Sequence, residues 1–264
     1  MKRRSAAALV LVVGAIVAFA ASPAAGAPPR AQLQNFDCQR ALDPSSRAVS
    51  VDAVMRPLPG TEKLQMQFTL LERAGGSTNV QTVVRAGDLG VWISPDDPPT
   101  LGQRPGDVWK LNKLVLNLDA PATYRFRVAY RWIGAHGHVI GLATRLSAVC
   151  YQRELRPDLL VKSISVSSVS GHPLKDLYTA VIANRGATGA GPFEVLFTPG
   201  DDSAPKTHTV AFLGAYQGRR ETFVGPLCDA ASPPAVTVDA ASQVDDDNRA
   251  NNTLIAVCPT PPAP

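Results

Sequence analysis

The chain has 264 residues, 45% of them apolar and 18% charged, with a formal net charge of +4. That length suggests about two domains, and the apolar share supports a buried core and excludes a disordered chain. Three of the positive charges are Lys2, Arg3 and Arg4; without them 23 basic residues face 22 acidic ones, a net charge of +1. Nucleic-acid binding, which needs a basic patch or stripe, is therefore not expected.

Lys2-Arg3-Arg4 precedes an uncharged, mostly apolar run from Ala6 to Ala21, and small residues follow through Ala27. This is the layout of a secretory signal peptide, residues 1–26, cleaved after Gly26. An uncleaved membrane anchor is the competing reading, but an apolar run of about 16 residues falls short of the roughly 20 that a spanning helix needs. No cysteine lies near the cleavage region to carry a lipid, and no later apolar stretch is long enough to cross a bilayer. Residues 259–264 are a Pro-rich tail.

Beyond residue 46 the pattern is that of strands. Val49, Val51 and Ala53 alternate with Ser50 and Asp52; Leu64, Met66, Phe68 and Leu70 alternate with Gln65, Gln67 and Thr69. Period-2 alternation marks half-buried strands. Further strands are expected over 88–94 and 108–118, separated by the turn-rich Pro95-Asp96-Asp97-Pro98-Pro99. Residues 124–133 give the clearest signal. Tyr124, Phe126, Val128, Tyr130 and Trp132 fall on one face; Arg125, Arg127, Ala129, Arg131 and Ile133 fall on the other. The aromatic face belongs in the core, because a row of exposed rings would be an aggregation-prone patch. Residues 134–137 form a hairpin turn and 138–150 the returning strand.

Residues 154–158 read as a linker. Seven short strands follow, over 159–166, 177–184, 193–198, 207–213, 219–224, 235–240 and 252–258, with Gly, Pro and Asn turns between them and no helical period. The expected fold is all-β: two immunoglobulin-like β-sandwiches in tandem, residues 31–154 and 156–258.

The four cysteines, Cys38, Cys150, Cys228 and Cys258, are an even number suited to an oxidising compartment. Three connectivities are possible. Cys38 with Cys150 and Cys228 with Cys258 is favoured, because each pair then lies within one half. No two cysteines have the close spacing of a zinc site.

The second half resembles the CARDB family, a bacterial cell-adhesion-related module. The resemblance rests on Arg156-Pro157-Asp158-Leu159-Leu160-Val161, on residues 178–186 (YTAVIANRG), on Ala190-Gly191-Pro192-Phe193, on Val238-Asp239, and on residues 248–253 (NRANNT). It covers about residues 156–258. The Cys228/Cys258 pair and the acidic run Asp245-Asp246-Asp247 depart from the family pattern. The resemblance implies an immunoglobulin-like fold and extracellular adhesion or scaffolding, and it supplies no catalytic residues. In the first half, residues 120–128 look like a late strand of a fibronectin type III or related sandwich, in which a Tyr near the strand start, here Tyr124, hydrogen-bonds back to the chain.

Several residue groups bear on chemistry. His136 and His138 are two apart, as strand-borne metal ligands can be, but they sit beside a Gly-flanked turn with no carboxylate or Cys nearby. Residues 186–191 (GATGAG) look like a phosphate loop but lack its Lys-Ser/Thr ending, and read as a strand connection. No G-x-S-x-G elbow and no H-E-x-x-H motif occurs. Carboxylates paired only in space for glycoside hydrolysis are not legible in a sequence, but the shortage of exposed aromatic platforms argues against a sugar-cleaving groove. Asp245, Asp247 and Asn251, in an oxygen-rich segment with Asp246 and Asn248, are a candidate calcium site, set against an ordinary Asn/Asp turn. Arg125, Arg127 and Arg131 are a candidate anion-binding face for an envelope polymer or an acidic partner. Against that stand neutralisation by acids on neighbouring strands and a merely solubilising role at a sheet edge.

The expected function is a secreted, non-catalytic binding, adhesion or scaffolding protein of the cell envelope or extracellular space, with no cofactor and an extracellular protein or envelope polymer as partner. The alternatives are an accessory or inhibitory subunit of a secreted enzyme, and an enzyme whose site forms only in space.

Overall fold

A computed structural model describes residues 28–83, 87–96 and 98–259. The expected signal peptide lies outside these residues, as does all of the tail beyond Pro259. The chain is all-β and antiparallel; the helical pieces among the described residues are three single 3-10 turns. None of the described helices is long and apolar enough to cross a membrane.

The first half contributes β1 (Ala31–Gln39), β2 (Ala48–Met55), β3 (Lys63–Ala74), β4 (Gln81–Val83), β5 (Trp92–Ile93), β6 (Trp109–Val115), β7 (Ala122–Ile133), β8 (Val139–Leu146) and β9 (Cys150–Gln152). They form one sheet in the order β1-β2-β6 and a second in the order β4-β3-β7-β8, with β5 on β3 and β9 on β7. Leu64, Met66, Phe68 and Leu70 of β3 and the aromatic face of β7 are buried against Val49, Val51, Ala53 and Met55 of β2. Each such large apolar side chain contributes about 1.5–3 kcal/mol on burial. Two polar ends are satisfied across the core: Tyr130 donates to the Gln32 carbonyl (3.0 Å) and Trp132 Nε1 to the Arg56 carbonyl (2.7 Å).

The second half contributes β10 (Leu159–Val169), β11 (His172–Asn184), β12 (Phe193–Thr198), β13 (Lys206–Val210), β14 (Gly218–Pro226), β15 (Ala235–Val238) and β16 (Thr253–Ile255). Its sheets run β10-β11-β14 and β13-β12-β15-β16. Between them Tyr178, Phe197 and Phe223 pack ring on ring, with centroids 4.9 and 5.3 Å apart. Among the described residues no sheet mixes strands from the two halves, and each half has its own buried cluster.

The disulfides are Cys38–Cys150 and Cys228–Cys258, as expected. Cys38 lies in β1 and Cys150 in β9, so the first bond joins the two sheets of its half. Cys228 follows β14 and Cys258 follows β16, so the second does the same in the other half.

Several strands differ from the expected spans. The 88–94 strand shrinks to Trp92–Ile93, because residues 87–90 turn and Gly90, at φ +81°, donates to the Phe68 carbonyl. The 108–118 strand stops at Val115, ahead of Asn117 at φ +56°. The strand expected over 138–150 is two pieces. Between them the Ser147 Oγ accepts the Phe126 N–H (3.0 Å), replacing a ladder bond with a side chain. The 252–258 strand reduces to Thr253–Ile255.

Because residues 156–258 carry their own core and cystine, that fragment is expected to unfold cooperatively when made in an oxidising compartment. Its Tm should fall below that of the matching transition in the mature chain, since Thr188 Oγ1 would lose its bond to the Leu155 carbonyl. Differential scanning calorimetry checks this; a fragment with no cooperative transition would disprove the boundary.

Candidate functional site

The candidate surface is built on β7. Its buried face fixes it in place. The Tyr124 hydroxyl lies 3.0 Å from the Asp119 carbonyl, five residues upstream, and 3.1 Å from Glu72 Oε1. Burial, and then the Glu72 charge, push its phenol well above the usual range. With one face so anchored, period-2 geometry turns Arg125, Arg127 and Arg131 outward.

Each arginine has a different environment. Arg125 Nε donates to the Ser147 carbonyl (2.8 Å). Arg131 Nε donates to Gln65 Oε1, and its guanidinium sits 4.1 Å from the centroid of the Trp92 ring. Arg127 is exposed and meets no acceptor among the described residues. Their cross-strand neighbours are Leu71 for Arg125, Thr69 and Leu146 for Arg127, and Gln65 and Leu142 for Arg131. None is a carboxylate, so neutralisation by acids directly across the strands does not account for the ladder. Nor is β7 an edge: it is paired with β3 on one side and with β8 and β9 on the other. Aliphatic side chains interleave with the cations, and Leu142 is 73% exposed. A shallow cleft of about 310 Å³ beside Arg125 is lined in part by Leu71, Val80, Leu146 and Val149.

The candidate calcium residues are arranged differently. Arg156 reaches Asp245 Oδ1 (3.5 Å) and Asp247 Oδ1 (2.6 Å), so a guanidinium takes the place next to these carboxylates that a cation would need. Asn251 donates through Nδ2 to Asp158 Oδ1 (2.8 Å). Asp246, between the two candidates, turns inward and accepts the Leu159 and Asn248 N–H groups. Asp247 is held above the usual carboxylate range by burial and by the Glu154 charge, against the pull of Arg156. Among the described residues no three His, Cys, Asp or Glu side chains converge to hold a metal.

The other sequence candidates lie in turns and connections. His136 occupies a 3-10 turn at φ +56° and, like His138, is exposed. The 186–191 segment is the connection between β11 and β12. Gly186 is required there: a Cβ would lie 2.3 Å from the Arg156 carbonyl oxygen.

Two features escaped sequence reasoning. Glu154 Oε1 accepts from buried Arg47 (2.7 Å) and from the Arg156 Nε (3.0 Å), tying the expected linker to the first half. Glu221, itself buried, holds His208 Nδ1 at 3.0 Å while the His208 ring stacks on Phe223 at 4.3 Å. The first brings together residues 107 apart and the second joins β13 and β14 across the two sheets of their half, and only the charge of each residue was visible beforehand.

Comparison with known proteins gives no family assignment. No family model and no curated protein matches. A red sea bream transglutaminase structure aligns with 89% of this chain at 11% identity and a TM-score of 0.26. The chain spans about a third (32%) of that protein's length. An Escherichia coli alpha-2-macroglobulin fragment spanning domains MG0-NIE-MG1 aligns with 86% of the chain, covering 71% of its own length, at 8% identity and a TM-score of 0.21. Scores this low carry no argument about function.

Proposed function

We propose that the protein is a secreted, non-catalytic binding or scaffolding protein of the bacterial cell envelope, with residues 156–258 acting as a CARDB-like adhesion module. The observation that carries this reading is the arginine face of β7. Arg125, Arg127 and Arg131 project from the middle of a paired sheet with no carboxylate directly across from any of them. Same-face positions on a strand lie about 7 Å apart, so the Arg125 and Arg127 charges repel unless an anion lies between them. Arginine forks suit carboxylates and phosphates. The two inter-sheet disulfides support an oxidising compartment. The signal peptide read from residues 1–26 supports export.

The test replaces all three arginines with Gln. Arg125 and Arg131 give up their bonds to Ser147 and Gln65 and the contact with Trp92, so the Tm should fall by several degrees while unfolding stays cooperative; R127Q alone, which loses no such contact, should leave it nearly unchanged. Retention on envelope preparations should drop at least fivefold at low salt, with a smaller difference at moderate salt, because exposed charges are screened. Equal retention of variant and parent at both salt levels would reduce the ladder to a solvated face.

A further inference from the structure

The second half carries a groove separate from the arginine face. Leu160 of β10 and Val181 and Ala183 of β11 line it together with Lys162, Arg185 and Tyr216. The groove encloses about 430 Å³, within the range of small-molecule clefts, and no carboxylate lines it.

Tyr216 is an unusual choice at its position. It is the third residue of the turn Gly214–Gln217, closed by a bond from the Gln217 N–H to the Gly214 carbonyl (3.2 Å). Its φ is +60°, in the left-handed region that turns normally give to Gly or Asn. Among the described residues the other non-Gly positions at positive φ are Asn35, Asn117, His136, Asp239 and Ser242, mostly short polar side chains that tolerate this region. An aromatic side chain there strains the backbone. Its ring is also 75% exposed and makes no aromatic or cation contact among the described residues. Tyr216 therefore does not stabilise the fold by packing.

The turn is nonetheless tied to β11. Asn184, almost fully buried, donates through Nδ2 to the Gly214 carbonyl (3.3 Å) and the Leu213 carbonyl (3.3 Å), and its backbone N–H donates to the Gln217 carbonyl (2.9 Å). The Gln217 side chain in turn accepts the Gly214 N–H (3.1 Å). A strained, exposed ring on a pinned turn is a preorganised platform.

We propose that this groove binds an anionic saccharide, with Tyr216 stacking on the C–H face of a sugar ring and Lys162 pairing with its acidic group. Lys162 is exposed and has no acid partner among the described residues, whereas Arg185 Nε is engaged by Asp158 Oδ2 at 3.1 Å. Charge complementarity thus calls for an acid, and the aliphatic lining for a ring with an apolar face. Of the strands that line the groove, β11 is paired on both sides, with β10 and β14, whereas β10 is the edge of its sheet, where an extended peptide would add; the glutamate peptide below tests for that occupant.

The test titrates the mature chain with galacturonate oligomers, followed by NMR chemical shifts, with neutral galactose oligomers and a glutamate peptide as comparisons. The parent should bind the galacturonate oligomers, with shifts centred on Tyr216 and Lys162. Y216G should weaken binding at least tenfold while Tm stays level or rises by about 2 °C, since glycine accepts this φ without strain. K162Q should erase the preference for the acidic over the neutral oligomer. The proposal fails if the parent binds no galacturonate, if it binds the neutral oligomer or the peptide equally well, or if Y216G binds like the parent. Equal stability in Y216G separates loss of a contact from loss of fold. Retention by the arginine face is a separate readout.

Discussion

Removing the Cys38–Cys150 bond is expected to cost more stability than any single surface change. The bond closes a sequence separation of 112 residues, against 30 for Cys228–Cys258. In the chain-entropy model these loops correspond to about 5 and about 3.6 kcal/mol. Cys150 is fully buried, so truncation also removes packed atoms from the first core. Neighbouring Gln152 donates to the carbonyls of Gln39 and Ala48, and loosening β9 puts those bonds at risk. With domain stabilities of roughly 5–15 kcal/mol, the double variant C38A/C150A should retain little folded first half at 37 °C. C228A/C258A should show a smaller drop. Guanidinium unfolding, followed by tryptophan fluorescence for the first half and far-UV dichroism for both, checks the ranking. A smaller loss from C38A/C150A than from C228A/C258A would contradict it.

The sequence was most legible where a single period ran unbroken. β7 keeps strict alternation for its whole length, and its faces divide as the residues indicate: aromatics buried, arginines out. β1 was not anticipated. Asn35 sits at φ +48°, the register slips between Gln34 and Asp37, and the slip hides the period-2 signal. The cysteine pairing was readable because each bond stays within one run of strands. The charge contacts at the linker were not, because Arg47 and Glu154 stand 107 residues apart and meet only once both sheets have formed. Asp52 is a similar case. Alternation places it on the outer face of β2, yet it is buried, because Asn35 and Asn112 donate to it and Lys110 pairs with it. Tyr216 was hidden for another reason: no sequence pattern in Gly214-Ala215-Tyr216-Gln217 says which residue takes the positive φ.

Replacing Glu154 with Gln is the second change expected to have a large effect, of about 3–5 kcal/mol. Arg47 is only 2% exposed and spends its Nη2 on Glu154 and the Leu42 carbonyl. Without the carboxylate it becomes a buried cation held by neutral acceptors alone. The partial remedy is R47M in the same background, which removes the stranded charge, so the double variant should be more stable than E154Q. The charge also sets a pH signature. Burial works against ionised Glu154, but the side-chain and backbone N–H groups of Arg156, together with Arg47, outweigh it and hold the carboxyl at about 2. A depressed value means the stabilisation is complete above the ordinary Glu value and disappears as pH falls through the folded one. The parent should therefore lose stability between about pH 4.5 and 2. Asp52, held at about 2 by hydrogen bonds from Lys110, Asn112 and Asn35, adds to the same loss from its ordinary value downward. E154Q should start less stable and fall less steeply across that window, retaining the part due to Asp52. Urea unfolding at half-unit steps from pH 7 to pH 2 measures both. A variant whose profile ran parallel to the parent's through the acid range would show that the Glu154 charge does not tie the linker to the first half.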